Sequence, residues 1–307
     1  MPTWNDLLRE FQGVADEQRA AWAVDKLTDS LRTTGELRGD RNVLLYASAF
    51  LQKPQVPAET TSITHEDVNG FMGAIHGMSW ERGLTLIIHT PGGVVNATET
   101  IVSYLRQKFP RLEVIIPTYA MSAGTMISLA ADSIIMGRQS QLGPIDPQMP
   151  LGGRTVSAMA VVEQFAQART EILANIQAAH VWAPVLQSLG PALLQEAQDA
   201  LEYSESMVAK WVAKYPLVGQ ADAEARGRKI AHHFNDATMH KSHGRRIDRD
   251  EAAKQGLTIE HLETNQELQE SVLTAYHLMT IMFEQSMTTK MIMSDTGNSW
   301  VKNWGSQ

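Results

Sequence analysis

One serine of this chain lies where a nucleophile would be useful. Ser122 is part of AMSAGT, in which small residues flank the serine and a helix is predicted to begin. The positive end of a helix dipole favours negative charge, whether on an attacking alkoxide or on an anionic intermediate. The alternative is that Ser122 is only a helix N-cap, which is a common role for serine.

A pair of glycines upstream of the serine suits the same chemistry. The segment HTPGG (89–93) ends an apolar run, and glycine allows the backbone to turn sharply and to approach a ligand closely. Backbone N–H groups at such a turn can stabilise the oxyanion of acyl transfer. We predict Gly92 or Gly93 as one donor and Ala123 as the second. A plain strand-to-helix turn is the alternative.

A third motif, LGPIDPQ, follows the serine by about two dozen residues and contains one acid between two prolines. Such a stiffened loop can hold an acid against a base or a substrate. We predict that Asp146 orients a base or lines the substrate cleft, and that Pro91 and Gly124 line the cleft as well. In the alternative interpretation Asp146 hydrogen-bonds its own backbone in a turn.

The elements around these motifs alternate between strand and helix. Apolar, β-branched runs at 84–90, 113–119 and 132–137 are typical of buried parallel strands, and helices are predicted at 96–108 and 122–131. Short loops join them. The pattern predicts an α/β fold with right-handed crossovers.

The rest of the chain is mostly helical in pattern. Helices are predicted at 4–35, 65–76, 155–213, 219–235 and 264–287, with strands at 43–50 and 257–262, and the tail from 288 is weakly patterned. We divide the chain into an N-terminal helical segment (1–40), a catalytic domain (41–262) and a C-terminal helix and tail (263–307).

Composition excludes several classes of function. The 307 residues carry a net charge of −8, which argues against a nucleic-acid partner. The absence of cysteine excludes disulfides and thiolate catalysis. No metal-binding or phosphate-binding motif occurs, so no metal, cofactor or intrinsic ATPase activity is expected. Lacking a signal sequence and an 18-residue apolar run, the chain is expected to be cytoplasmic without a membrane span.

The order of these motifs resembles the Clp-protease/crotonase superfamily. Within it the chain is most similar to signal-peptide-peptidase-A-like serine peptidases, in the soluble branch called serine dehydrogenase proteinase. The likeness is strongest over 41–150 and extends to about 262 through GR…A…GL, which begins at Gly244. The resemblance implies a spiral of ββα units with additional C-terminal helices, a homo-oligomer, Ser122 as nucleophile, and an oxyanion hole formed by Gly93 (or Gly92) and Ala123.

The general base departs from both patterns of that superfamily. Clp-protease subunits have a histidine about 25 residues after the serine, where this chain has Asp146. Signal peptide peptidase A uses a downstream lysine, but no lysine occurs here between Lys108 and Lys210. Serine hydroxyls need such a partner to become good nucleophiles.

Three candidate bases remain. Lys210 lies in MVAKWVAKYPL, whose apolar surroundings would lower its pKa, unless the side chain simply extends to solvent. His180 lies among apolar neighbours, and a buried or interface histidine is the favoured interpretation of it. The cluster of His240, Lys241 and His243 lies beside the GR segment, and its alternative is a solvated turn.

These observations favour an ATP-independent serine endopeptidase that cleaves peptides or unfolded segments. Its base would be a lysine or histidine of the same or a neighbouring subunit, and an extended substrate would pair with the PGG segment. A catalytically silent oligomeric scaffold or peptide-binding module is the main alternative. A crotonase-like acyl-CoA enzyme is the third hypothesis, but it would use acidic residues, and no acid pair is evident near the serine.

Overall fold

The computed structural model describes residues 2–305 and divides them into two compact units. The sheet unit comprises the chain up to Leu142 and again from Arg246 onward. The helical insert comprises Gly143–Arg245. These boundaries differ from the predicted division at residues 40 and 262, because the first and last segments belong to one unit.

The helices and strands follow one another in this order. They are α1 (Trp4–Gly13), α2 (Asp16–Leu37), β1 (Asn42–Ser48), α3 (Asp67–Ala74), β2 (Leu84–His89), α4 (Val95–Lys108), β3 (Leu112–Ile116), β4 (Tyr119–Ala120), α5 (Ala123–Leu129), β5 (Ser133–Met136), β6 (Gln141–Leu142), β7 (Gln148–Leu151), β8 (Arg154–Ser157), α6 (Ala158–Ala174), α7 (Ala179–Leu189), α8 (Leu193–Lys214), α9 (Ala223–Asn235), α10 (Ala237–His240), α11 (Arg249–Lys254), β9 (Ile259–His261), α12 (Gln266–Gln285), β10 (Thr288–Ser294) and β11 (Ser299–Asn303). Short 3₁₀ segments occur at Ala58–Thr60, Trp80–Arg82, Ile176–Ala178 and Leu262–Thr264.

A seven-stranded mixed sheet is the centre of the sheet unit. Its order is β11-β10-β1-β2-β3-β5-β9, and the five strands from β1 to β9 in this order run parallel. Strand β10 runs antiparallel to both of its neighbours, β1 and β11. The predicted α/β class is confirmed. Helices α2 and α12 bury one face of the sheet, with Leu27, Leu31 and Val272 in the shared core.

The C-terminal tail differs from its predicted lack of pattern. It forms the hairpin β10–β11, and β10 pairs with β1 so that Lys290 lies opposite Ser48. The sequence of β10, TTKMIMS, does not alternate regularly between apolar and polar residues and so lacks the period-2 pattern of a half-buried strand. Strand β10 forms because it pairs with β1, which lies more than 200 residues earlier in the chain. The predicted helix at 4–35 is divided as well, since α1 ends before Val14.

The helical insert begins with a two-stranded hairpin and continues with five helices. Gly152 and Gly153 both have positive φ and form the hairpin turn, which the sequence pattern did not predict. Helices α8 and α9 pack along each other. Between residues 2 and 305, no helix is both long and apolar enough to cross a membrane.

Candidate active site

Ser122 has an unusual backbone conformation between β4 and α5. Its φ of 49° and ψ of −112° lie in a region that non-glycine residues rarely adopt. Such a conformation costs on the order of 1–3 kcal/mol and is concentrated at functional sites. Within residues 2–305 the hydroxyl has no hydrogen-bond partner, and the residue is partly exposed. Ser122 is the N-cap residue by position, but its side chain caps nothing.

Hydrogen bonds on both sides maintain this turn, which we call the serine turn (residues 120–124). The N–H of Met121 donates to the carbonyl of Thr90 over 3.1 Å. The hydroxyl of Thr125 donates to the carbonyl of Ala120 over 2.7 Å. The parallel bridge between Thr90 and Ala120 adds a further link. These contacts with the surroundings therefore hold Ser122 in its strained conformation.

The glycine turn (residues 90–93) packs directly on the serine turn. Gly92 has a φ of 110°, and a Cβ atom there would lie 2.7 Å from the Cβ of Ser122 and 3.1 Å from the nitrogen of Ala123. Gly124 is similarly constrained, since its Cβ would lie 2.5 Å from the methyl carbon of Thr90. The sequence requires glycine at both positions because the two turns are in van der Waals contact.

The backbone donors of the two turns are not equivalent. The N–H of Gly92 donates to the hydroxyl oxygen of Thr90 over 3.2 Å. The N–H groups of Gly93 and Ala123, in contrast, have no hydrogen-bond partner among residues 2–305. Of the two glycines predicted as donors, only Gly93 thus has an N–H available to a ligand. Oxyanion holes are built from such unpaired donors.

Ile63 determines the direction of the Gly93 donor. Its N–H donates to the Gly92 carbonyl over 2.8 Å, and its own carbonyl accepts from the Val94 N–H over 2.9 Å. In a trans peptide the C=O and N–H point in opposite directions. Because the Gly92 carbonyl faces Ile63, the Gly93 N–H faces away from it. Ile63 also occupies one edge of the PGG segment, so only the opposite edge can accept a substrate strand.

His89 lies immediately before the glycine turn and is fully buried. Phe50, Tyr119 and Tyr276 surround its ring, and its Nδ1 lies 2.9 Å from the hydroxyl of Thr118. Burial lowers the pKa of His89 to about 3. The ring is therefore neutral at physiological pH, and it is enclosed by other side chains. We regard it as packing beneath the turn.

In the helical insert, Asp146 and His243 form a hydrogen-bonded pair. The Nδ1 of His243 lies 2.7 Å from Oδ1 of Asp146, and Gln148 donates to Oδ2 over 2.7 Å. The Asp146 side chain is 2% exposed, whereas that of His243 is 29% exposed. Since a carboxylate only accepts, Nδ1 of His243 carries a hydrogen, and in the neutral form of the ring Nε2 has the lone pair. Within residues 2–305, Nε2 has no partner.

The chain around His243 is arranged by helix capping. Asp236 accepts from the N–H groups of Thr238 and Met239 and starts the short helix α10. Lys241, with a φ of 63°, ends it in the left-handed conformation. A turn closed by the N–H of Arg245 on the carbonyl of residue 242 then presents His243. The prediction named Asp146 and His243 for separate reasons, and the structure brings them together.

The remaining members of the basic cluster have other roles. His240 is buried, its Nε2 lies 2.6 Å from the carbonyl of His233, and its Nδ1 lies 3.0 Å from a guanidinium nitrogen of Arg245. Both ring nitrogens are thus occupied, which suits a structural histidine. Lys241 is exposed to solvent.

The two other predicted bases are also solvent-exposed. Lys210 lies on α8 with its side chain exposed, so the apolar environment on which its prediction depended is missing. His180 is exposed on α7, and the interpretation of a buried histidine is wrong. No group of three or more His, Cys, Asp or Glu residues suited to a metal ion occurs within residues 2–305.

Comparison with known families agrees with this geometry. Residues 55–232 match the family of ClpP-like SDH-type serine proteinases. The chain belongs to this family. The matched region of this SDH-type member contains the glycine turn, Ser122 and Asp146, and it ends before His243.

Two relatives are uncharacterized proteins of Methanocaldococcus jannaschii, MJ0137 and MJ1495. They are 47% and 46% identical to this SDH-type chain over 87 residues. The aligned segment is 28% of this chain and 30% of each relative. The chain thus spans less than a third of the length of these relatives, which establish similarity only for that segment.

Proposed function

We propose that the chain is an ATP-independent serine endopeptidase that cleaves peptides or unfolded protein segments, with Ser122 as its nucleophile. One observation carries the proposal: the strained Ser122, with a free hydroxyl, packs against the glycine turn. The unpaired N–H groups of Gly93 and Ala123 belong to the same two turns. A nucleophile beside two backbone donors is the arrangement that acyl transfer requires.

In the proposed reaction, Oγ of Ser122 attacks the scissile carbonyl carbon, and its proton passes to a base of the same or a neighbouring subunit, for which we choose Nε2 of His243. The N–H groups of Gly93 and Ala123 hold the resulting oxyanion. The C–N bond then breaks, and His243 returns the proton to the leaving amine. Water, activated by the same imidazole, hydrolyses the acyl-enzyme. Asp146 keeps the ring in the required tautomer throughout.

His243 is our choice of base because it alone among the candidates has the required properties. It has an oriented ring, an unpaired Nε2 among residues 2–305, and partial exposure. His240 has both nitrogens engaged. Lys210 lacks the burial that turns a lysine into a base at neutral pH. Whether His243 acts on Ser122 of its own chain or of a neighbouring subunit is part of the test.

The decisive experiment is labelling with a fluorophosphonate probe, followed by peptide mapping. We expect the probe to attach to Ser122, and Ser122→Ala to abolish both labelling and cleavage of unfolded casein without ATP. Ser128→Ala is the matched control, because this serine lies in the same helix and only donates to the carbonyl of Gly124 over 2.8 Å. Labelling at another residue, or cleavage that survives in Ser122→Ala, would refute the proposal.

The Ser122→Ala variant also tests the alternative hypothesis, a catalytically silent oligomeric scaffold. A scaffold would bind peptides without turnover, and Ser122→Ala would leave that binding unchanged. Mixing Ser122→Ala with His243→Ala protein provides a second test. Recovery of activity in the mixture indicates a base supplied in trans, whereas no recovery indicates a base from the same chain.

Assembly and the finer architecture are part of the proposal. We propose a homo-oligomer, and a spiral of ββα units around the glycine and serine turns, on the basis of family membership. Light scattering on the purified chain gives the mass of the assembly. A monomer at micromolar concentration that cleaves peptides would remove the oligomer from the proposal and leave the nucleophile in place.

A further inference from the structure

Lys290 is a buried lysine that the proposed reaction does not use. It lies on β10, and its side chain has no solvent exposure. The ammonium group contacts Oδ1 of Asp67 at 2.5 Å, the carbonyl of Ser62 at 2.9 Å and the hydroxyl of Thr64 at 3.5 Å. All three of its N–H bonds therefore have an acceptor. A buried charge is tolerated only with such partners, and removing one of them leaves the other charge buried and unpaired.

Asp67 completes a small network around the lysine. Its Oδ2 accepts from the hydroxyl of Tyr46 and from the N–H of Thr64, each over 2.9 Å. Lys290 and Asp67 together thus hold the chain at Ser62 and again at Thr64. Ile63, between these two anchored residues, has little freedom to shift.

The position of Ile63 in turn controls the donor that faces the oxyanion. The N–H of Ile63 bonds to the Gly92 carbonyl, and this orients the peptide whose opposite end is the Gly93 N–H. The contact is close, because a Cβ on Gly93 would lie 2.3 Å from the Ile63 carbonyl oxygen. A carbonyl that accepts a hydrogen bond also polarises the N–H of its own peptide.

We infer that Lys290 is a positioning residue for catalysis: its ion pair with Asp67 anchors residues 62–64 and thereby aims the Gly93 N–H at the oxyanion. This inference rests on the proposed function. Lys290 is not a candidate base for Ser122, since it is enclosed and its N–H groups are all engaged. Lys290 acts through Ile63 and does not touch the substrate.

The test compares Lys290→Met with a control that loses a different buried ion pair. Arg38→Met removes the partner of Glu113, which lies 2.8 Å away in the same unit. We expect Lys290→Met to lower kcat about 10-fold or more while KM changes less than about twofold, because oxyanion donors act mainly in the transition state. Affinity for a peptidyl trifluoromethyl ketone, which forms the tetrahedral adduct, should fall by the same factor. Arg38→Met should lose stability and retain kcat.

A second variant controls for loss of folding in Lys290→Met. Lys290→Met combined with Asp67→Asn removes both charges, so no unpaired charge stays buried, yet the anchor at Ser62 is lost. We expect this double variant to melt closer to wild type and still to show the reduced kcat. Hydrogen exchange at the Ile63 amide should be faster in both variants and unchanged in Arg38→Met.

The outcomes separate this inference from the proposed function. If Lys290→Met retains kcat and inhibitor affinity to the same extent as Arg38→Met, the positioning role is wrong, while Ser122 stands as the nucleophile. If the double variant recovers full kcat, Lys290 contributes only stability, and the inference fails. If Ser122→Ala retains cleavage, the proposed function fails first, and exchange at Ile63 still reports on the anchor.

Discussion

Nδ1 of His243 lies 2.7 Å from the buried carboxylate of Asp146, although 97 positions separate the two residues in the chain. The hydrogen bond selects the tautomer whose Nε2 can accept a proton. A surface pair in the same unit offers a contrast: Nδ1 of His232 lies 3.2 Å from Glu205, but the His232 side chain is 67% exposed. A histidine–acid contact alone therefore does not distinguish the two pairs, whereas burial of the acid does.

The first prediction concerns this pair. Asp146→Asn should lower kcat about 10⁴-fold, because an amide can stabilise the wrong tautomer, as in serine peptidases with a Ser-His-Asp triad. His243→Ala should have an effect at least as large. Steady-state hydrolysis of a fluorogenic peptide measures both. His232→Ala is the control and should retain the wild-type kcat; equal losses in the two histidine variants would contradict a specific role for His243.

The second prediction concerns the contact between the two turns. Gly92→Ala should reduce kcat about 10²-fold, because the new methyl group would displace Ser122 from its position beside the donors. Gly297→Ala is a matched control, since Gly297 also has a positive φ, of 87°, but no heavy atom lies within 4 Å of a Cβ there. Comparing kcat at equal folded fraction separates a loss of catalysis from a loss of stability. Similar kcat values for both variants would mean that the close approach is unimportant.

The third prediction concerns Lys210. Lys210→Ala should change kcat/KM less than about twofold, because an exposed lysine on α8 has no desolvation to make it a base. The pH profile of kcat/KM should also keep its shape. If kcat/KM instead fell more than about 10³-fold in Lys210→Ala, and Lys210→Arg did not restore it, Lys210 and not His243 would be the base.

The fourth prediction concerns acid stability. Burial lowers the pKa of His89 to about 3, whereas in the unfolded chain it titrates near 6.5. Below pH 6.5 the unfolded chain therefore binds a proton that the folded chain excludes, so the free energy of unfolding falls until about pH 3. Between pH 6.5 and 5 the loss is about 2 kcal/mol.

Urea unfolding at several pH values measures this loss. His89→Leu should flatten the dependence of the free energy of unfolding on pH in this window. Thr118→Val removes the hydrogen-bond partner of Nδ1 but leaves the ring buried, and it should keep the slope. An unchanged slope in His89→Leu would show that other groups cause the acid loss.

Much of the sheet unit was predictable because its signals are local. Apolar, β-branched runs identified β2, β3 and β5 to within a few residues. The motif at Ser122 and the glycine pair were also visible as short sequence patterns. The hairpin β10–β11 was not, because β10 is recognised by its pairing with β1, and β11 by its pairing with β10, rather than by composition. Long-range pairing leaves little trace in a single sequence.

The buried anchor was missed for a related reason. The segment TTKMIMS gives no indication of which residue pairs with Lys290, and Asp67 fits an ordinary residue at the start of a helix. One available signal was a lysine that is the only charged residue of its strand segment, since a fully buried lysine is rare without a partner. The partner itself lies 223 positions away, and only folding brings the two together.

The sequence by itself determined the chemistry that is available: a serine among small residues, two glycines after a strand, an acid between prolines, and no cysteine. Tertiary structure decided which of these groups can act. It left the Gly93 N–H unpaired while that of Gly92 bonds to Thr90, and it buried the acid that hydrogen-bonds with His243. The physical reason is that residue types and turn conformations are local properties, whereas burial and the direction of an N–H depend on distant neighbours.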